Sequence, residues 1–128
     1  MVPAELRYTK EHEWVRQDGD VATVGITQFA ADELGDVVFV ELPAVGSTIE
    51  QHATFGVVES VKAVSDLFLP VGGEVIQTNG ALTQTPELVN SDPYGKAWMI
   101  RLEVADPGEV AGLMDAAAYA KHCDERSH

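Results

Sequence analysis

The sequence predicts a small, mainly β fold: a sandwich or flattened barrel with short peripheral and C-terminal helices. Most apolar segments are short, rich in β-branched and aromatic residues, and separated by turn formers, as is typical of strands. Helical spacing is confined to one internal connection and the C-terminal end, and no alternation of strands with helices indicates a parallel sheet. A length of 128 residues suits one domain, so we expect residues 1–128 to fold as a single unit. The large aromatic residues expected to fill its core are Trp14, Phe39 and Trp98.

The first predicted elements are a hairpin and a capped helix. Strands at residues 14–16 and 21–26 flank a polar turn that contains Gly19, which is the chemistry of a tight hairpin connection. Thr27 is placed to cap a short helix, because its hydroxyl can accept a hydrogen bond from the first helical turn. Gly35 is expected to end that helix.

Further strands are predicted along the rest of the chain. Residues 37–42 form a mostly apolar strand, and residues 48–50 form a very short one. Residues 74–77 and 98–104 are the last strands, the latter with clean alternation of apolar side chains. Between these two, residues 78–97 are polar and rich in turn formers, which predicts a long irregular loop.

The chain is predicted to end in a helical tail over residues 107–122. Apolar residues recur there at helical spacing: Val110, Leu113, Met114 and Ala117. Asp115 is expected to cap a second short helix within this tail.

The composition excludes several classes of function. Eight Lys and Arg against 21 Asp and Glu give a net charge of −13, which repels nucleic acid and favours basic partner surfaces. No apolar run is long enough to span a membrane, and no signal or transit peptide is recognised before Tyr8. We therefore expect a bacterial cytoplasmic protein without membrane contact, with a processed organellar form as the alternative. A monomer is expected because no exposed apolar stripe argues against one. The single cysteine, Cys123, cannot form an internal disulfide and has no metal-ligand pattern around it.

The middle of the sequence predicts a hairpin with a lysine at its tip. Residues 54–58 and 64–70 are two short apolar strands, so residues 54–70 form a hairpin that displays Lys62 to solvent. Lys62 is the only Lys or Arg between Arg16 and Lys96. An amine displayed in this way is suited to covalent attachment of a group, although an ordinary exposed lysine would occupy the same place.

Several sequence motifs point to one family. The segment ESVKAVSD at residues 59–66, with Gly73 downstream, resembles the lipoyl-lysine hairpin of the glycine cleavage system H-protein family. The resemblance extends from about Tyr8 to Tyr119, and further segments follow in the family's order: YTKEHEWV at 8–15, VGIT at 24–27, LGDVVFVELP at 34–43 and PELVNSDPYG at 86–95.

This resemblance implies a fold, a cofactor and site residues. It implies the barrel-sandwich hybrid of lipoyl domains, with lipoic acid in amide linkage to Lys62. Glu59 is then a contact for the lipoylating enzyme, and Glu13 and Asp66 lie near a cleft that shelters the loaded arm. A carboxylate there could pair with the ammonium of an aminomethyl group. Without such a cleft, Glu59 and Glu13 would be ordinary strand carboxylates and Asp66 part of a turn.

The resemblance also implies partners. A carrier of this family takes an aminomethyl group from the pyridoxal-phosphate glycine decarboxylase (P-protein) to the aminomethyltransferase (T-protein). Dihydrolipoyl dehydrogenase (L-protein) then reoxidises it, and a lipoate ligase or octanoyltransferase attaches the arm. The sequence contains no motif for a nucleophile, a phosphate loop or acid–base catalysis, so we expect a carrier and not an enzyme.

Two alternatives stay open at this level. An H-like lipoyl protein could serve lipoate relay or another lipoyl-dependent pathway, although the near-complete motif set favours glycine cleavage. An acidic protein-binding module with an unmodified Lys62 belongs to a different class, and the presence of a cofactor on Lys62 would separate the two. Biotin carriage is disfavoured, because Val61 and Ala63 flank the lysine where biotinyl domains generally place methionines.

Overall fold

The computed structural model describes residues 3–126 as two antiparallel sheets with short helices around them. In chain order the strands are β1 (Arg7–Tyr8), β2 (Glu13–Asp18), β3 (Val21–Ile26), β4 (Val37–Glu41), β5 (Thr48–Ile49), β6 (Thr54–Ser60), β7 (Val64–Phe68), β8 (Gly73–Thr78) and β9 (Ile100–Val104). One sheet has the order β1-β2-β3-β9-β8-β5 and the other the order β4-β6-β7. No helix in this described range is long and apolar enough to cross a membrane.

The two sheets share one hydrophobic core. Val24 and Leu102 of the six-stranded sheet belong to the same buried cluster as Val40 and Val58 of the three-stranded sheet. The sheets are not closed into a continuous barrel. The predicted mainly β fold with short helices is therefore confirmed.

The predicted N-terminal hairpin and helix form as expected. β2 and β3 pair in register from Glu13 opposite Ile26 to Asp18 opposite Val21, and Gly19 in the turn has a φ of 64°. The helix α1 (Gln28–Leu34) begins after Thr27, whose hydroxyl accepts a hydrogen bond from the Ala30 N–H at 3.2 Å. It ends at Gly35, which has a φ of 80° that favours glycine. The turn chemistry and both caps are thus confirmed.

The predicted long loop contains more structure than expected. Two single-turn helices, α2 (Ala81–Gln84) and α3 (Leu88–Ser91), lie within residues 78–97. Each buries one apolar side chain, Leu82 and Val89, in the main core. Local helical propensity over four residues is weak, so these turns depend on packing that the sequence pattern does not reveal.

The C-terminal tail forms a second, smaller cluster. It contains the helices α4 (Gly108–Ala111) and α5 (Ala116–Arg126), and the Asp115 carboxylate accepts a hydrogen bond from the Ala118 N–H at 2.8 Å, which confirms the predicted cap. Tyr119 of α5 is buried and stacks on Tyr8 with ring centroids 4.6 Å apart. Trp14 is fully buried in the same cluster.

Two of the three predicted core aromatics differ from expectation. Trp98 is only half-buried, with the Arg101 guanidinium 4.4 Å from its ring centroid. Phe39 is 43% exposed, so its assignment to the core was wrong. The cause is an irregularity in the pairing of β4 with β6 between Val37 and Phe39, which places Val38 and Phe39 both on the outside.

Candidate functional site

The tip of the β6–β7 hairpin presents Lys62 on an ordered turn. Glu59 pairs with Val64, and the Ser60 N–H donates to the Ala63 carbonyl at 2.8 Å. The Ser60 hydroxyl accepts hydrogen bonds from the N–H groups of Ala63 at 3.1 Å and Lys62 at 3.4 Å. Neither central residue of this tip has a positive φ, so the turn is not of a primed type. The Lys62 side chain is exposed.

A neighbouring turn supports this tip. The Val61 N–H donates to the Asp36 carbonyl at 3.1 Å, which joins the hairpin to the connection between α1 and β4. A Cβ placed on Gly35 would lie 3.5 Å from Lys62 Cε, so the methylene stem of the lysine runs beside this glycine. Asn90, which lies in the long loop of residues 78–97, donates through Nδ2 to the Gly35 carbonyl at 2.8 Å. The motif at residues 86–95 contains Asn90, but nothing in the sequence indicates that this residue lies near Lys62.

A cleft of about 150 Å³ lies between α1, β7 and the start of β2. It brings together two of the predicted site residues, Glu13 and Asp66. Its other lining residues come from these three parts of the chain and from the end of β3: Glu11, His12, Ile26, Ala30, Glu33, Leu34, Ser65 and Leu67. Ser65 is three residues beyond Lys62, and Leu34 precedes the glycine that the lysine stem passes. Glu59 does not line the cleft and is half-buried on β6.

Glu13 is a buried carboxyl group in the cleft. It is 2% exposed, and its Oε1 accepts a hydrogen bond from the Thr9 hydroxyl at 2.5 Å. Its Oε2 accepts a longer hydrogen bond from the Phe68 N–H at 3.4 Å. Burial raises the pKa of Glu13 from 4.5 to about 7, with a smaller contribution from the nearby Glu11 carboxylate, while its hydrogen bonds oppose the rise. The charge of this cleft therefore changes near neutral pH.

We expect Glu13→Gln to alter how stability depends on pH. A carboxyl group whose pKa is raised by folding keeps its proton in the folded state while the unfolded chain loses it. The free energy of unfolding should therefore fall as pH rises from 4.5 to about 7, by about 1–3 kcal/mol from Glu13 alone. Urea unfolding across this pH range should show that the free energy of unfolding of Glu13→Gln increases relative to that of the wild type as pH rises. If the difference in free energy of unfolding between the two proteins stays constant with pH, this prediction is contradicted.

His12 is a cleft residue that sequence reasoning missed. It is buried next to Glu13 and has a φ of 72°, which is uncommon for a residue other than glycine. Its Nδ1 lies 2.8 Å from the Tyr119 hydroxyl, and its ring stacks on Phe29 with centroids 4.6 Å apart. Tyr119 also hydrogen-bonds the Thr27 hydroxyl at 2.6 Å, so α5 is linked to the wall of the cleft. The histidines have no ligand spacing, and only the motif at residues 8–15 marked this position.

Comparison with known proteins gives the family. The sequence model described as glycine cleavage H-protein matches residues 6–126, almost the whole chain. The chain belongs to the glycine cleavage H-protein family. Proteins of this family are lipoyl carriers of the glycine cleavage system, and that carrier function is the function of this protein.

Individual relatives agree with this assignment. The chain is 61% identical over 118 residues to the glycine cleavage system H protein of Magnetococcus marinus, covering 92% of this chain and 84% of that one. It is 58% identical to the corresponding protein of Symbiobacterium thermophilum, covering 92% of each chain. The crystal structure of a glycine cleavage system H protein from Mycobacterium marinum superposes with a TM-score of 0.87 at 38% identity, covering 94% of this chain and 97% of that one. The predicted lipoyl-domain-like fold is confirmed.

Proposed function

We propose that this protein carries lipoic acid in amide linkage to Lys62 Nζ. In this proposal it takes the aminomethyl group of glycine from the P-protein to the T-protein and is reoxidised by the L-protein. The observation that supports it is the placement of Lys62 on an ordered, exposed tip beside a cleft lined by four carboxyl groups, Glu13 and Asp66 among them. Attachment forms one C–N bond: the neutral amine attacks an activated lipoyl carbonyl, the activating group leaves and a proton is released.

The residues around Lys62 fit a long, narrow arm. The lysine stem passes Gly35 close to the end of α1. Leu34 and Leu67 give the cleft an apolar wall, while Glu13 and Asp66 give it carboxyl groups that can pair with an ammonium group. When attached, the lipoyl group supplies a redox-active dithiolane, a function that no side chain of the protein can perform.

The carboxyl groups of the cleft have separate tasks in this proposal. Glu13 is buried and can hold a proton near neutral pH, so it can bind an ammonium group as an anion or release it on protonation. Asp66 is exposed at the cleft mouth, where it can attract the charged arm before it docks. Glu59 is kept as the contact for the lipoate ligase or octanoyltransferase, because it lies on the outer face of β6, three residues before Lys62.

The other partner and location predictions belong to the same proposal. The protein acts as a non-catalytic monomer, and its three partner enzymes perform the chemistry on the arm. Its relatives in Magnetococcus marinus and Symbiobacterium thermophilum support a bacterial protein, for which the cytoplasm is the proposed compartment.

The test is an intact-mass measurement on the protein purified from its own host, with peptide mapping of the modified residue. We expect a lipoyl mass increment on the peptide that contains Lys62. Incubation of that protein with P-protein and glycine should then add an aminomethyl group, which separates glycine cleavage from lipoate relay. A mass equal to the bare chain, from cells that lipoylate other proteins, would overturn the proposal and favour an unmodified binding module.

A further inference from the structure

An exposed apolar patch surrounds the base of Lys62. The exposed large apolar side chains of the described residues number six, and four of them lie at the tip end of the three-stranded sheet: Val38, Phe39, Val61 and Val64. We call these four residues the tip patch. Apolar side chains that cluster on a surface mark contact sites, whereas single exposed ones need no explanation.

The strand register extends the tip patch into a defined face. Phe39 pairs with Glu59, and Glu59 pairs with Val64, so these three side chains form one row on the outside of the sheet. Two residues further along the strands, Glu41 and Asp66 are exposed in the next row of the same face. The result is a row in which Glu59 lies between the apolar side chains of Phe39 and Val64, with a carboxylate border of Glu41 and Asp66 in the next row.

The charge around this face indicates what it would bind. Lys62 is the only Lys or Arg from residue 17 to residue 95, so the carboxylates of the face have no other cation close in sequence. Amide formation on Lys62 would remove even that charge. A complementary surface therefore has a basic residue opposite Glu59, apolar groups on either side of it and further basic residues opposite the carboxylate border.

We propose that the tip patch and its carboxylate border form the docking surface for the enzyme that acylates Lys62. This inference rests on the proposed function. The target amine is only four carbons from the lysine Cα, so the acylating active site must approach the hairpin closely enough to contact the tip patch. Enzymes that act on the dithiolane meet a group further out by the length of the arm, and they do not need this contact.

The test compares two double variants. Phe39→Thr/Val64→Thr replaces the two apolar side chains that flank Glu59, and Val45→Thr/Ile76→Thr makes the same kind of change at exposed apolar sites away from the tip. Threonine is β-branched and suits a strand, and all four side chains are exposed, so both variants should fold. The bare proteins are lipoylated with a lipoate ligase, lipoate and ATP, and binding to the ligase is measured separately by titration.

We expect kcat/KM for lipoylation and the affinity for the ligase to fall about tenfold or more in the tip variant, since central apolar contacts dominate such interfaces. The control variant should match the wild type. Once fully lipoylated with excess ligase, the tip variant should be loaded by P-protein at a rate within about twofold of the wild type.

Three results would overturn the inference. In the first, the tip variant is lipoylated at the wild-type rate. In the second, kcat/KM for lipoylation falls equally in the control variant. In the third, the wild type is a dimer that the tip substitutions dissociate, so that the patch binds a second copy of the chain. If lipoylation is normal but P-protein loading falls, the patch belongs to the decarboxylase interface instead. Failure of the wild type to accept lipoate at Lys62 would overturn the proposed function itself, so the two failures are distinguishable.

Discussion

Lys62→Arg is expected to abolish lipoylation and to reduce glycine cleavage to background in a reconstituted system. Arginine keeps the positive charge and a similar stem, so the tip turn held by Ser60 should persist. Its guanidinium does not lose its proton near neutral pH, and it therefore cannot act as the neutral amine that attacks an acyl group. The loss would then be chemical and not a consequence of misfolding.

Lys96→Arg is the matched control for this prediction. Lys96 is also exposed, but it lies in the long loop of residues 78–97 and does not line the cleft. Intact mass should show full lipoylation of Lys96→Arg and none of Lys62→Arg, with both proteins unfolding at the wild-type urea concentration. A lipoyl increment on Lys62→Arg would place the attachment on another lysine and contradict the proposed site.

The elements that the sequence predicted correctly are those specified by local chemistry. Gly19 in its turn, Thr27 and Gly35 as caps, and Asp115 as the cap of α5 each act within a few residues of their partners. The Lys62 hairpin belongs to the same class, because two short apolar strands around a polar tip leave little choice of topology.

The features that the sequence did not predict depend on distant parts of the chain. Phe39 is exposed because an irregularity in β4 breaks the alternation that pattern reasoning assumes. Asn90 supports the turn beside Lys62 across 55 residues of separation, through its bond to Gly35. The raised pKa of Glu13 follows from burial, which no motif reports. Family resemblance placed Glu13 and Asp66 near the cleft, but only the structure shows that one is buried and the other exposed.

Gly73→Ala is expected to destabilise the fold severely. Gly73 is the first residue of β8 and lies between Ile49 of β5 and Val104 of β9. A Cβ at this position would overlap the Glu103 carbonyl oxygen and would lie 2.6 Å from Leu102 Cδ1. The carbonyl belongs to the backbone of a central strand and cannot move without disturbing the sheet. We expect a loss on the order of 3 kcal/mol, a large part of the stability of a small domain.

Gly80→Ala is the control that separates this overlap from the general effect of replacing glycine. Gly80 has a helical φ of −62°, and nothing lies within 4 Å of an added Cβ. Its replacement should leave stability unchanged or raise it by up to about 1 kcal/mol, because alanine restricts the unfolded chain. Urea unfolding of both variants measures the difference directly. Equal urea midpoints for the two variants would mean that β8 and β9 can move apart at little cost. The close approach of the Glu103 carbonyl would then not be the reason that glycine occupies position 73.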